Sequence, residues 1–312
     1  MLKLYASENG FLVPAERPGP GTWVSLTAPS EEELRFVETR FGILPDFLKY
    51  PLDEEERPRI EVEGKQLLII FHIPDPRHEG DIIRYETVPL GIVITEEVVV
   101  TVCLKENLLF EEVLAQSGRF IKVDLEHPVS FLFLVFYCVA NLYLRYLRLI
   151  DRLIEDYERE LHRSFRNREL LKILSLEKSL VYFNTALRGN DVVLTRIQSG
   201  RYVRLSDEDL EVLEDIQIEN RQAIEMAKIY SDILSGTMDA YASIIGNNLN
   251  IVMKFLTALA IVLALPTMIS SIYGMNIRLP LQDNPHAFWI IMSISFAVSI
   301  LLTLYFIKKR LF

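Results

Sequence analysis

The chain has 312 residues, a hydrophobic fraction of 50%, a mean hydropathy of +0.20 and a formal charge of -10. It is too apolar for an ordinary soluble protein and too charged for a polytopic one, so a soluble part with a small membrane anchor is expected. The acidic balance excludes nucleic-acid binding as the leading function, because phosphate contacts need a basic face. Cys103 and Cys138 form no close pair, which supports neither a disulfide framework nor a thiolate metal site.

Residues 1–14 hold no continuous apolar run, so no secretory signal is read and the soluble part is expected in a reducing cytosol. Prolines recur up to Pro128 and then stop until Pro266. Because proline damages helix interiors, residues 1–126 read as a mixed α/β domain and 127–205 as an antiparallel helical hairpin. In the first part, Ser30-Glu31-Glu32-Glu33 before Leu34 and Phe36 is a capping-box helix start. Gly64-Lys65-Gln66 leads into an apolar run over 67–73, and Thr95-Glu96-Glu97 separates runs over 88–94 and 98–104, which is the signal of strands and a hairpin. The interval with His72, Asp75, His78, Glu79 and Asp81 is expected to be a surface loop.

A helix is expected from Pro128. Its opening, 129–144, is apolar enough to be tested as a third membrane span, but it is short, contains Asn141, and runs into Arg145, Arg148 and Arg152 at helical spacing. A buried soluble helix is the better reading. A turn over 164–168 and a second helix over 169–199 follow, broken at Gly200, with their charges read as solvated faces.

Ser206-Asp207-Glu208-Asp209 starts another helix. Leu213, Ile216, Asn220, Ala223, Ala227, Tyr230, Leu234, Met238, Tyr241 and Ile245 recur at threes and fours, giving a face that packs for many turns. No proline interrupts before the membrane, so one stalk helix over 206–273 is expected, roughly 100 Å long at 1.5 Å per residue, with Gly236 and Gly246 as soft points. Its outward acids, Asp215 among them, are mostly a solvated face, although a divalent cation shared across an interface would relieve their repulsion.

The end of that helix, 251–273, and a second stretch, 288–307, are each about the length needed to cross a bilayer. Residues 274–287 then form a loop on the far side. Lys254 and the tail 308–312, with Lys308, Lys309 and Arg310, outweigh the single Arg278 of the tip, so both termini are expected in the cytosol. A multi-pass protein of the cell (inner) membrane, in contact with lipid, is expected. Asn250, Met253, Thr257, Ala260, Ala264, Thr267 and Ser271 make one small or polar stripe on the first span, suited to helix packing or to a water path. Two helices cannot enclose water, so a pore requires a homo-oligomer with the stripe around a common axis.

Tyr273-Gly274-Met275-Asn276 at the end of the first of two terminal spans, the entry segment Asn250-Ile251-Val252-Met253-Lys254-Phe255-Leu256-Thr257 and the basic tail resemble the CorA family of divalent-cation channels. The resemblance implies an α+β membrane protein: a cytosolic α/β domain, a long helical stalk and two C-terminal transmembrane helices, assembled as a homopentameric funnel. It implies potential-driven influx of Mg2+, with Co2+ or Ni2+ as companions, selected in hydrated form at Gly274, Met275 and Asn276, where Gly274 would supply backbone freedom for a filter loop. It further implies regulatory Mg2+ between protomers at Asp215 and a partner acid, with Asp75, Glu79 and Asp81 as candidates, and no organic cofactor.

The loop after the motif departs from the family's Met-Pro-Glu-Leu pattern and leaves Asp283 as the outer-mouth acid. A Zn2+ transporter of the same fold, with or without proton coupling, and a membrane-anchored sensor or scaffold without flux are the alternatives. No catalytic cluster and no phosphate-binding glycine-lysine motif emerges, so an enzyme is not expected.

Overall fold

The computed structural model describes the chain apart from residues 81, 164–166, 278, 282 and 310–312, and apart from the side chains of residues 78, 79, 162, 163 and 167. The fold falls into two compact units, Met1–Ser235 and Gly236–Phe312. In chain order the first contains β1 (Leu2–Glu8), β2 (Phe11–Pro14), β3 (Thr22–Thr27), α1 (Glu31–Phe41), α2 (Pro45–Lys49), a 3-10 turn (Tyr50–Leu52), β4 (Arg59–Glu63), β5 (Gln66–Glu79), β6 (Ile82–Ile94), β7 (Val98–Cys103), α3 (Leu109–Gln116), α4 (Val129–Arg163) and α5 (Asn167–Gln198). Helix α6 (Asp207–Tyr273) runs from the first unit into the second, and α7 (Ala287–Lys308) ends the chain.

The strands form a 7-stranded sheet in the order β2-β1-β3-β7-β6-β5-β4. Its centre is the parallel pair β3–β7, both buried along their whole length. Runs such as Val98-Val99-Val100 belong in a strand covered on both faces. The edges are blunted by shortness: β2 has 4 residues and ends at Pro14, and β4 has 5 with Arg59, Glu61 and Glu63. On one face, Val24, Leu26, Val98, Val100 and Val102 pack with Leu34 and Val37 of α1 and Phe47 and Leu48 of α2. Alternate residues point the other way, where Trp23 meets Phe131 of α4 (ring centroids 4.9 Å) and Phe71 stacks on Phe136 (4.5 Å).

Three helices are long and apolar enough to cross a membrane, and burial separates them. The apolar window of α4 has a mean hydropathy of 1.5 and is 72% buried within the protein, against 2.1 and 6% for α6, and 2.4 and 11% for α7. Phe131 to Phe136 are all fully buried, between the sheet on one side and α3 and α5 on the others. The apolar opening of α4 is therefore satisfied by protein, while those of α6 and α7 have no such cover.

The structure corrects one expectation. His72 and Asp75 lie on β5, which pairs with β6 along its whole length, from Leu67 opposite Ile94 to Glu79 opposite Ile82, instead of in a surface loop. Pro74 and Pro76 are compatible with the strand because they share the parity of His72, whose backbone N–H and C=O point away from β6 to Asn190 of α5. A proline facing that way costs no ladder hydrogen bond.

Asn190 is fully buried and acts as a ladder partner made of side chain: Oδ1 accepts from the His72 N–H (2.8 Å) and Nδ2 donates to the His72 carbonyl (2.8 Å), which also accepts from the Tyr143 hydroxyl (3.1 Å). Ser179 does the same for the Tyr85 N–H at 2.9 Å. Helix α5 comes this close because residue 189 is glycine; a Cβ there would sit 2.8 Å from Pro58. The His72 ring is half-buried, its Nε2 lies 2.7 Å from the Glu56 carbonyl, and desolvation holds its pKa below the usual value. Asn190→Ala strands the His72 N–H and is expected to cost about 1–3 kcal/mol. A thermal melt of the full chain should show a midpoint lower by several degrees, and an unchanged midpoint would refute the side-chain ladder.

Candidate functional site

The second unit, taken by itself, is a hairpin of α6 beyond Gly236 with α7. Both helices are built on apolar runs of bilayer length, and small residues let them approach. On α6 the face turned to α7 carries Ala258, which is 3% exposed, with Val262, Leu265 and Ile269 half-buried, at steps of four, three and four. Asn250, Met253, Thr257, Ala260, Ala264, Thr267 and Ser271 are all exposed, on a side roughly a third of a turn away. Of the stripe, Ala260, Ala264, Thr267 and Ser271 lie off the seam between the two helices of one chain, whereas Asn250, Met253 and Thr257 line a crevice beside Phe306 of α7. That seam uses Ser295, Ser299, Thr303 and Phe306 on α7, while Trp289, Phe296, Leu301 and Leu304 point outward.

Hydroxyls on both helices donate to the carbonyl one turn back. On the stripe Thr257 donates to Met253 (2.8 Å) and Thr267 to Leu263 (2.9 Å); on α7 Ser295, Ser299 and Thr303 do likewise at 2.9, 3.0 and 2.8 Å. With its hydrogen committed, each threonine oxygen on the stripe presents only lone pairs outward. Pro266, half-buried, removes the helical donor for the Val262 carbonyl.

At the end of α6 the last turn tightens: the Gly274 N–H donates to Ser270 O (3.0 Å) and Ser271 O (3.2 Å), and Met275 N–H to Ile272 O (3.2 Å). This overturns the reason expected for Gly274. Its φ is not in the left-handed region, and an added Cβ would meet Ser270 O and Ser271 O at 3.5 Å, ordinary contact. Continued helical hydrogen bonding sets the backbone there. Among the described residues of the loop the left-handed one is Leu281, at φ 70°. Met275, Asn276 and Asp283 are exposed, and Asn284 starts α7 by accepting from the His286 N–H through Oδ1 (2.9 Å) and from the Ala287 N–H through its carbonyl (3.0 Å). Arg278, Gln282 and Arg310 lie outside the described residues.

The acids fall into two groups. At the start of α6, Asp209 and Ser206 cap one another: Asp209 N–H donates to Ser206 Oγ (3.2 Å) and Ser206 N–H to Asp209 Oδ2 (2.9 Å). Here helix-capping chemistry accounts for the carboxylate. Asp215 and Glu214 are exposed, on the side opposite Leu213, Ile216, Gln217 and Asn220. Those four are buried, with Asn220 Nδ2 donating to the Leu187 carbonyl of α5 at 3.2 Å.

Asp75 is 8% exposed and already engaged: Arg77 Nε donates to its Oδ2 (3.2 Å) and Lys105 Nζ lies 3.8 Å away. Arg77 also pairs with Glu86 (2.9 Å), and Lys105 with Glu54 (2.6 Å). The side chain of Glu79 is not described, and Asp81 lies outside the described residues. Among the described residues no three His, Cys, Asp or Glu side chains are grouped to hold a metal ion. The Asn190 clasp and the Arg77 network carry no residue singled out by sequence spacing other than His72 and Asp75; both depend on partners distant in the chain.

Against known proteins, the model of the CorA-like Mg2+ transporter protein family matches residues 20–310. The cobalt/magnesium transport protein CorA of Methanocaldococcus jannaschii is 30% identical over 293 residues, covering 92% of this chain and 90% of that protein. The protein of that name from Thermotoga maritima is 22% identical, with 93% and 83% covered. The complete structure of the CorA magnesium transporter from Methanocaldococcus jannaschii is similar with a TM-score of 0.83 at 27% identity, covering 98% of this chain and 97% of that one. The chain belongs to the CorA family of Mg2+ transporters.

Proposed function

We propose that this chain forms a homopentameric channel in the cell membrane, with both termini in the cytosol, through which Mg2+ enters down the electrical gradient. The observation that carries the reading is the stripe on α6: small and polar residues, all exposed on one chain, of which Ala260, Ala264, Thr267 and Ser271 lie away from the seam with α7. Exposed polar residues at membrane depth are costly unless they meet protein or water, and a ring of copies supplies both. The Lys254, Lys308 and Lys309 end of the hairpin faces the cytosol by the positive-inside rule.

Mg2+ gives up its water reluctantly, so the first selective contact is to the hydrated ion. The waters of a hydrated cation are hydrogen-bond donors and need acceptors. Asn276 side-chain oxygens and nearby carbonyls at the outer mouth, then the lone pairs of Thr267 and Thr257, offer acceptors without the fixed charge that would trap a divalent ion. Across a membrane potential a divalent ion gains about 4.6 kcal/mol per 100 mV, twice the single-charge value, so influx needs no ATP. Co2+, cargo of the named relatives, has comparable hydrated chemistry.

Regulation follows from Asp215, exposed in the cytosolic part of α6. In this reading Mg2+ bound there, with water and an acid of the neighbouring copy, bridges groups that otherwise repel and holds the stalks together and closed. Asp75 is a poor partner because Arg77 and Lys105 already neutralise it, which leaves Glu79 and Asp81 as the candidate acids.

Flux into proteoliposomes with a negative interior tests the reading. Mg2+ uptake blocked by hexammine cobalt, a substitution-inert analogue of a hydrated cation, is expected from the parent, with Asn276→Ala lowering uptake at least about tenfold, since one lost hydrogen bond is worth nearly that much and every copy loses one. Zn2+ uptake dependent on a pH gradient would establish the Zn2+ alternative, and absence of any divalent flux would establish a scaffold. With Asp215→Ala, uptake should persist at luminal Mg2+ concentrations that silence the parent; unchanged inhibition would remove Asp215 from the regulatory site.

A further inference from the structure

A cavity of about 250 Å³ lies between α3 and α4, and its lining divides by burial. Cys138 and Leu142 are 2% and 4% exposed and make the floor. Burial pushes the Cys138 thiol up to about 12, so the floor carries no charge. Tyr137 makes a wall, its ring stacked on Phe120 with centroids 3.6 Å apart and planes 5° from parallel. The rim is polar: Glu112 and Gln116 from α3, and Asn141, Arg145 and Arg148 from α4. Tyr137, Asn141, Arg145 and Arg148 recur at steps of four, four and three, so one face of α4 supplies most of the site.

Some of these groups are committed within the protein and others are unspent. Glu112 Oε1 accepts from Arg145 Nη1 at 2.6 Å, which makes a neutral pair on one side. Asn141 Nδ2 donates to the Tyr137 carbonyl at 3.0 Å, leaving Oδ1 as an acceptor. The half-buried Gln116 amide has no side-chain hydrogen-bond partner among the described residues. Arg148 has no ion-pair partner among them either, although its charge reaches Tyr230 of α6. The rim therefore holds one uncompensated positive charge beside an unused acceptor and an unused amide.

We infer that this cavity binds one small hydroxycarboxylate. Its carboxylate lies on the guanidinium fork of Arg148, a planar pairing that can be bidentate. One hydroxyl donates to Asn141 Oδ1, another accepts from Gln116, and the carbon skeleton lies against Tyr137. Charge and size select this class. A phosphate monoester brings up to two negative charges, of which Arg148 meets one while Glu112 repels the other. A nucleotide is too large, because the cavity falls below the roughly 300–1,000 Å³ of drug-sized sites. A plain alkyl acid leaves Asn141 and Gln116 unmatched. The site stands apart from the channel reading, since all of its lining belongs to α3 and α4 of the first unit.

Isothermal titration of the full-length protein in detergent, with sodium glycerate as the probe and no divalent cation added, tests it. Saturable binding in the millimolar range is expected. Propionate, which lacks the hydroxyls, should bind about fivefold more weakly or worse, and glycerol, which lacks the charge, should give no measurable binding. Arg148→Gln should weaken glycerate about tenfold to a hundredfold, as loss of a charged hydrogen bond. Asn141→Leu should weaken glycerate about fivefold and leave propionate unchanged, a split that a merely loosened fold would not give. Both positions are exposed, and an unchanged melting midpoint shows that each variant is folded. If either fails to fold, the parent's ranking of the three probes decides the case. No saturable glycerate binding by the parent, equal affinity for propionate, tighter binding of inorganic phosphate, or undiminished affinity in folded Arg148→Gln each overturns the site.

Discussion

A water-filled path cannot be enclosed by two helices, and the proposed channel places the second unit of this chain under that constraint. In that reading helix α6 has to pack against α7 on one side and offer a polar lining on another, while keeping enough bulk for lipid. The sequence meets the three demands with three kinds of residue: Ala258 and Val262 at the seam, Thr257, Ala264 and Thr267 on the exposed stripe, and Ile251, Leu259 and Leu263 among the bulky exposed positions. The committed hydroxyls of Thr257 and Thr267 reconcile two of these demands at once. They satisfy their own donors within the helix and leave acceptors free.

The same hydrophobic accounting explains why α4 is not a membrane helix. A stretch of its length and apolarity enters lipid only if nothing else covers it, and here a 7-stranded sheet does. Trp23 and Phe71 reach from the sheet into α4, so the aromatic side chains of its opening have partners inside the protein. Hydropathy alone does not separate the cases; the availability of a complementary surface does. The hairpin β5–β6 is in turn held by α5, whose Asn190 substitutes for a strand along the free edge of β5.

Much of this was legible in the sequence wherever the signal is local. The capping boxes at Ser30 and Ser206, the turn at Thr95 and the uninterrupted course of α6 follow from spacing alone, and the structure has each of them. Signals that depend on distant partners were misread or missed. The interval from His72 to Asp81 reads as a surface loop because the partner of the His72 backbone, Asn190, comes more than a hundred residues later. Strands β1 to β3 were not read, since β3 gains its place from parallel pairing with β7 across α1, α2 and three other strands. At the candidate site the stripe and Asp215 were legible as surface features, whereas the engagement of Asp75 by Lys105 was not, because nothing in their spacing announces an ion pair. Gly274 invited a backbone argument that its helical hydrogen bonds do not support.

Family membership, a lining face distinct from the packing face and acceptors without fixed charge converge on one claim: the stripe of α6 lines water in the assembled protein. Cysteine accessibility tests it most directly, and the native thiols offer little background because Cys103 and Cys138 are both buried. Single cysteines at Thr257, Ala264 and Thr267 should react with a membrane-impermeant thiol reagent and block flux on reaction. Cysteines at Ala258 and Leu301 should do neither. Protection of the stripe cysteines, with labelling of Ala258 or Leu301 in their place, would contradict the account.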